Sequence, residues 1–159
     1  MTFVDDKSVS FFSLLKSGYI NFKCMAMLPP PSKTNANATL HVALAGADPF
    51  EIIIATLTTD YKIKTITKSK DSHYQNITGL FLSPDHKLLI TTSMDTLLMV
   101  WSLAEDRETV TDETTVTTKD GPISHAVQDK TGMYYILGHS NTFTEKKANI
   151  SIWELDAKK

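Results

Sequence analysis

Apolar positions along this chain recur at a period of two, in short runs separated by clusters of turn residues. Val, Ile, Thr, Phe and Tyr concentrate in those runs, and no segment longer than about 12 residues keeps apolar residues at helical spacing. The pattern predicts an all-β domain. Four of the runs also match one another: Asp6–Leu14 (DKSVSFFSL), Ala47–Leu57 (ADPFEIIIATL), Met94–Leu103 (MDTLLMVWSL) and Ala148–Leu155 (ANISIWEL) each alternate apolar residues and close on a leucine. The closing leucines at 14, 57, 103 and 155 stand 43, 46 and 52 residues apart. Intervals of this length mark repeat architectures in which each unit packs on its neighbours.

Each interval divides in the same way. In the second, Tyr61–Lys68 alternates Lys with Ile or Thr, Asn76–Leu82 is mostly apolar, Ser83–His86 (SPDH) turns the chain, and Lys87–Ser93 and Leu97–Leu103 complete four predicted strands. The first interval offers INFKCMAML, LHVALAGA and EIIIATL around a Pro-rich polar loop, PPPSKTNANAT. The third offers RETVTDETTV, ISHAVQD, the turn DKTG, MYYILGHS and NISIWEL, and a polar insert, NTFTEKKA, lengthens it. The repeat units are therefore 15–57, 58–103 and 104–155, with 1–14 as the end of another unit. Such intervals have the length of a propeller blade.

Within the second unit, His73, the SPD turn at 83–85, Asp95 and Trp101 resemble the WD40 repeat. Members of that family commonly show Gly-His before the first strand of the repeat, an Asp in the turn before the third, and Trp-Asp at its end. The resemblance implies a partial β-propeller of four-stranded antiparallel blades. It also implies a buried polar chain in which His73 reaches Asp95 and Thr91, ending on the ring nitrogen of Trp101. Such a chain is structural scaffolding. Ser72, His86 and Thr96 replace glycines of the family pattern, and Ser102 replaces its final aspartate. The first unit has Asp48 and Ala55 at the aspartate and tryptophan positions, and the last keeps Trp153 and Glu154 without an aspartate matching Asp95. The function implied is a protein-interaction scaffold in a multiprotein complex, with Tyr74, Gln75 and Met94 as loop contacts to protein subunits. Propellers use 4–8 blades, and an open arc leaves apolar faces and strand edges in water. The expectation is that further sequence or a partner chain completes the ring.

Composition narrows the remaining classes. A chain of 159 residues fits one domain that buries roughly 68–70% of its unfolded surface. The single cysteine, Cys24, forms no internal bridge, and the opening MTFVDDKSV lacks the basic start of a signal peptide, so a cytosolic or nuclear setting is expected. No apolar run approaches the roughly 20 residues of a membrane span. Sixteen basic against 18 acidic residues give a net charge of -2 and no general attraction to a phosphate backbone. Lys62, Lys64, Lys68 and Lys70 do alternate onto one strand face, which keeps an RNA-associated scaffold as the alternative; edge lysines that keep other sheets from pairing explain them as well.

Candidate chemistry is sparse. The histidines at 41, 73, 86, 125 and 139 are scattered, and none pairs with another or with Cys24 at metal-ligand spacing. His139 is expected at the end of a second strand. Cys24 lies in the apolar FKCMAML, where a buried, inert thiol is expected. The six glycines never take a phosphate-cradle spacing. No catalytic, metal-binding or cofactor-binding residue is assigned, and no enzyme is expected.

Overall fold

The computed structural model describes residues 22–30, 39–46, 50–58, 63–70, 72–140 and 149–156. The unit end at 1–14, Asp48, Lys62 and the polar insert at 141–148 lie outside them. The described residues form eleven strands and no helix: β1 (Phe22–Leu28), β2 (Leu40–Gly46), β3 (Ile52–Leu57), β4 (Ile63–Lys68), β5 (Ile77–Leu82), β6 (Leu88–Ser93), β7 (Leu97–Leu103), β8 (Val110–Thr117), β9 (Ile123–Gln128), β10 (Tyr134–His139) and β11 (Asn149–Glu154). They make three antiparallel sheets, ordered β1-β2-β3-β4, β5-β6-β7-β8 and β9-β10-β11. This is an all-β, partial β-propeller-like fold.

The sheets are offset from the sequence intervals by one strand. β4 opens the second interval but pairs with β3, setting Ile54 opposite Thr67 and Ala55 opposite Ile66. β8 opens the third and pairs with β7. A chain leaving a strand through a short connection pairs most directly by turning back antiparallel beside it, so the second and third intervals each donate their first strand to the sheet before. The third sheet accordingly has three strands among the described residues.

β2 and β3 are buried almost throughout, in keeping with the unbroken apolar run IIIATL. β10 and β11 alternate, because one face of the third sheet is exposed. Between the first and second sheets, Leu28, Ala43, Ile52 and Ile54 meet Leu80, Leu89, Met99 and Trp101. Between the second and third, Ile90 and Leu98 meet Ile123, Tyr135 and Leu137. Each large aliphatic or aromatic side chain so buried contributes about 1.5–3 kcal/mol before entropy is counted. Pro29 and Pro30 end β1, since proline offers no ladder donor. Gly79, beside a bulge in β5, admits no side chain: a Cβ there would lie 2.6 Å from Thr92 Oγ1 and 2.7 Å from the Phe81 ring.

Candidate functional site

The second sheet places four polar side chains in one line. Trp101 stands on β7 with its indole turned toward the first sheet and only 1% exposed. Its Nε1–H donates to Thr91 Oγ1 on β6 at 2.8 Å. Thr91 Oγ1 lies 2.8 Å from His73 Nε2, and His73 Nδ1 lies 2.9 Å from Asp95 Oδ2 in the β6–β7 turn. In the tautomer that donates Nδ1–H to the carboxylate, His73 Nε2 accepts the Thr91 hydroxyl proton, and Thr91 in turn accepts the indole N–H. Every member is satisfied, as a buried polar group requires.

Asp95 then organises the surrounding loops. Oδ2 also accepts the Tyr74 N–H at 2.8 Å, and Oδ1 accepts the Leu97 N–H at 2.9 Å. Burial by itself pushes the Asp95 carboxyl up, but the hydrogen bonds from His73, Tyr74 and Leu97 outweigh it and hold the group below the ordinary 3.8. The next residue, Thr96, has φ 74°, and His86 after the SPD turn has φ 60°. Both occupy positions where the repeat pattern carries glycine, so the backbone keeps the left-handed turn although the residue that suits it is gone. The SPD turn holds itself by local bonds: Ser83 Oγ–H to Asp85 Oδ1 at 2.7 Å and Lys87 N–H to the same oxygen at 3.1 Å. The Ser83 hydroxyl is the main reason the Asp85 carboxyl lies low.

The third sheet contains a second chain that the sequence reading did not anticipate. Trp153 Nε1–H donates to Ser151 Oγ at 2.9 Å, Ser151 Oγ lies 2.7 Å from His139 Nε2, and His139 Nδ1 lies 2.9 Å from the carbonyl of Gly121. The same tautomer gives the same direction of flow, with a backbone carbonyl where Asp95 stands in the other sheet. His139 is at the end of β10 and buried, so its ring enters from a strand rather than from the loop before the sheet. The signal in the sequence is Ser151-x-Trp153 on one strand face with Gly138-His139 on its neighbour. In the first sheet, Ala55 faces the same side as Trp101 and Trp153 do in theirs, and the buried His41 is flanked by Thr39 and Thr56.

Of the expected loop contacts, Tyr74 is 78% exposed and Gln75 is exposed, while Met94 is half-buried with its N–H bonded to Asn76 O. Lys64, Lys68 and Lys70 are exposed, and Lys68 Nζ lies 3.1 Å from Glu51 Oε2 as an ion pair. Cys24 is half-buried against Ile77 O, and burial pushes its thiol up, away from the reactive thiolate. Among the described residues, no three His, Cys, Asp or Glu side chains gather as a metal-ligand set. No helix among them is long and apolar enough to cross a membrane.

The outward face of the third sheet carries exposed apolar side chains. Register places Val127, Ile136 and Ile152 in one row across its three strands, with His125, Gly138 and Ile150 in the next. Ile150 and Ile152 are 74% and 71% exposed, and Val127 is 57% exposed.

The chain matches no family model and no curated protein. Among solved structures 195 chains match, so the fold is widely shared and does not by itself point to one activity. One is a chain of a humanized mutant of the Chaetomium thermophilum Polycomb Repressive Complex 2 bound to the inhibitor GSK126. It superposes with a TM-score of 0.60 over 89% of this chain at 18% identity. The present chain spans 28% of that chain's length. The likeness shows a WD40-like β fold.

Proposed function

We propose that this chain is a non-catalytic interaction scaffold, an arc of a WD40-type propeller that binds protein subunits within a multiprotein assembly of the cytosol or nucleus. The observation that carries the reading is the row Val127–Ile136–Ile152. Three aliphatic side chains side by side on an exposed sheet face are the mark of a surface that another protein layer covers. The equivalent faces inside the stack are cores, so a further sheet, from additional sequence or from a partner chain, would find a surface of the kind these sheets already pack on. The polar side chains favour the same reading, because His73, Asp95, Thr91 and Trp101 are occupied with one another. The solved neighbour belongs to Polycomb Repressive Complex 2, a multisubunit setting in keeping with this use of the fold.

The test is co-purification of the tagged chain from cells after nuclease digestion. Stoichiometric protein partners that persist at high salt are expected, and Ile136→Lys with Ile152→Lys should release them. Partners that vanish on nuclease treatment, or a steep loss of binding with rising salt, would support the RNA-associated alternative instead.

A further inference from the structure

We propose that the Asp120-Gly121 peptide is a site of spontaneous main-chain isomerisation, and that the isoaspartate formed there unseats the acceptor at the end of the third-sheet relay. The site stands apart from the scaffold reading and does not depend on it. Glycine follows an aspartate or asparagine once in the sequence, at this pair. The pair lies in the turn between β8 and β9, with the Asp120 side chain exposed. Among the described residues, the Asp120 carboxylate accepts no hydrogen bond and the Gly121 N–H donates none. Both reacting groups are therefore free. Glycine has no Cβ to keep the carboxyl from its nitrogen, and at φ 98° it holds a backbone that other residues avoid. The other turn aspartates differ on both counts. Asp85, Asp95, Asp106 and Asp129 each accept hydrogen bonds that hold the carboxylate in place, and each precedes a residue with a side chain.

The chemistry balances with water alone. The Gly121 nitrogen attacks Cγ of the Asp120 carboxyl, an N–Cγ bond forms, and one water leaves with the amide proton and the carboxyl hydroxyl. The product is a cyclic succinimide, and water returns at either of its carbonyls. Breaking the N–Cγ bond restores aspartate. Breaking the bond from nitrogen to the α-carbonyl leaves the main chain running through Cβ and Cγ, with the α-carboxylate as a new side chain. Mass and oxidation state are unchanged, and the main chain is longer by one carbon, about 1.5 Å. That added length falls beside a carbonyl in use. Gly121 O accepts the Thr118 hydroxyl at 3.2 Å and the His139 Nδ1–H at 2.9 Å. His139 is 3% exposed, and its other nitrogen bonds Ser151, which bonds Trp153. A displaced Gly121 carbonyl leaves a buried imidazole donor without its acceptor, so a change in an exposed turn is carried to β10 and β11. Those strands also bear Ile136 and Ile152, and the outward face ages with the turn.

The test is to hold the purified chain at neutral pH and physiological temperature for weeks. Isoaspartate is then mapped by peptide separation after labelling with an isoaspartyl carboxyl methyltransferase and S-adenosylmethionine. The peptide containing Asp120 should carry severalfold more label than any other aspartyl peptide, with its mass unchanged before methylation. Asp120→Glu, whose ring closure needs a larger imide, should remove that label. Asp120→Asn, which expels ammonia more readily than the acid expels water, should gain it faster. Hydrogen exchange reads the consequence: in the aged chain the amides of His139 and Trp153 should lose protection while those of β6 and β7 keep theirs. Aged Asp120→Glu should retain protection throughout, and prolonged methyltransferase turnover, which returns the ester through the succinimide to aspartate, should restore it in the parent chain. The proposal is overturned if label at Asp120 does not exceed that of the other aspartyl peptides, or if Asp120→Asn isomerises no faster than the parent. Isomerisation that leaves His139 and Trp153 protected overturns the coupling to the relay.

Discussion

Asp95 ties the polar chain to the loops around it: its carboxylate serves one side chain and two backbone N–H groups from two loops. Removing it leaves buried donors without acceptors, so Asp95→Ala should destabilise by about 1–3 kcal/mol in urea unfolding. A neutral effect would make Asp95 a solvated turn residue. Because the folded carboxyl sits below its ordinary 3.8, its contribution is fully present above that value and is lost as pH falls through the folded value. Asp95→Asn should therefore flatten the acid side of a plot of urea midpoint against pH, below pH 3.8, relative to the parent chain. Asp129, held at about 2 chiefly by the Thr131 hydroxyl and backbone N–H groups, keeps part of that slope in the variant. Thr96 carries the opposite kind of prediction. A β-branched residue at φ 74° costs about 1–2 kcal/mol, and glycine gives back roughly 0.5–1 through its looser unfolded state, so Thr96→Gly should stabilise by about 0.5–1 kcal/mol. An unchanged midpoint would mean the turn stores no strain.

Among the elements, β10 and β11 show how one strand has two energetic faces. Leu137 is wholly buried toward the second sheet, while Ile152, opposite Ile136 on the other face, is 71% exposed. Leu137→Ala should cost about 2–5 kcal/mol, and Ile152→Thr should fall within about 0.5 kcal/mol of the parent chain, measured by the same unfolding curves. A large loss at Ile152 would mean that its side chain is covered in solution. The strands themselves were legible from alternation and turn residues, and the relay of the second sheet from His73, Thr91, Asp95 and Trp101 at their spacing. The relay of the third sheet was not, because Gly121 contributes a backbone carbonyl, which has no letter in a sequence. Nor was the pairing of β4 with β3, since hydrogen bonding between strands follows spatial neighbours rather than the period of the repeat.

At the scale of the whole molecule, a stack of sheets that touch only their neighbours loses cooperativity toward an uncovered end. The second sheet is enclosed between the other two, whereas the third has one face in water. Amides of β6 and β7 should exchange more slowly with solvent than those of β11, by native-state hydrogen exchange; uniform protection across the three sheets would indicate that the arc unfolds as one unit. Binding of a partner to the outward face of the third sheet should raise protection of β10 and β11 first.

The sequence by itself determined the all-β class and the polar chain of the second unit, because alternation, turn chemistry and buried-group pairing are local or act at short spacing. Only the tertiary structure decided which apolar strands are enclosed and which are not. IIIATL and NISIWE are both rich in isoleucine, yet one is buried throughout and the other shows Ile150 and Ile152 to water. That difference belongs to what packs on each face of a strand, which no side chain encodes alone, and it is where the proposed partner surface comes from.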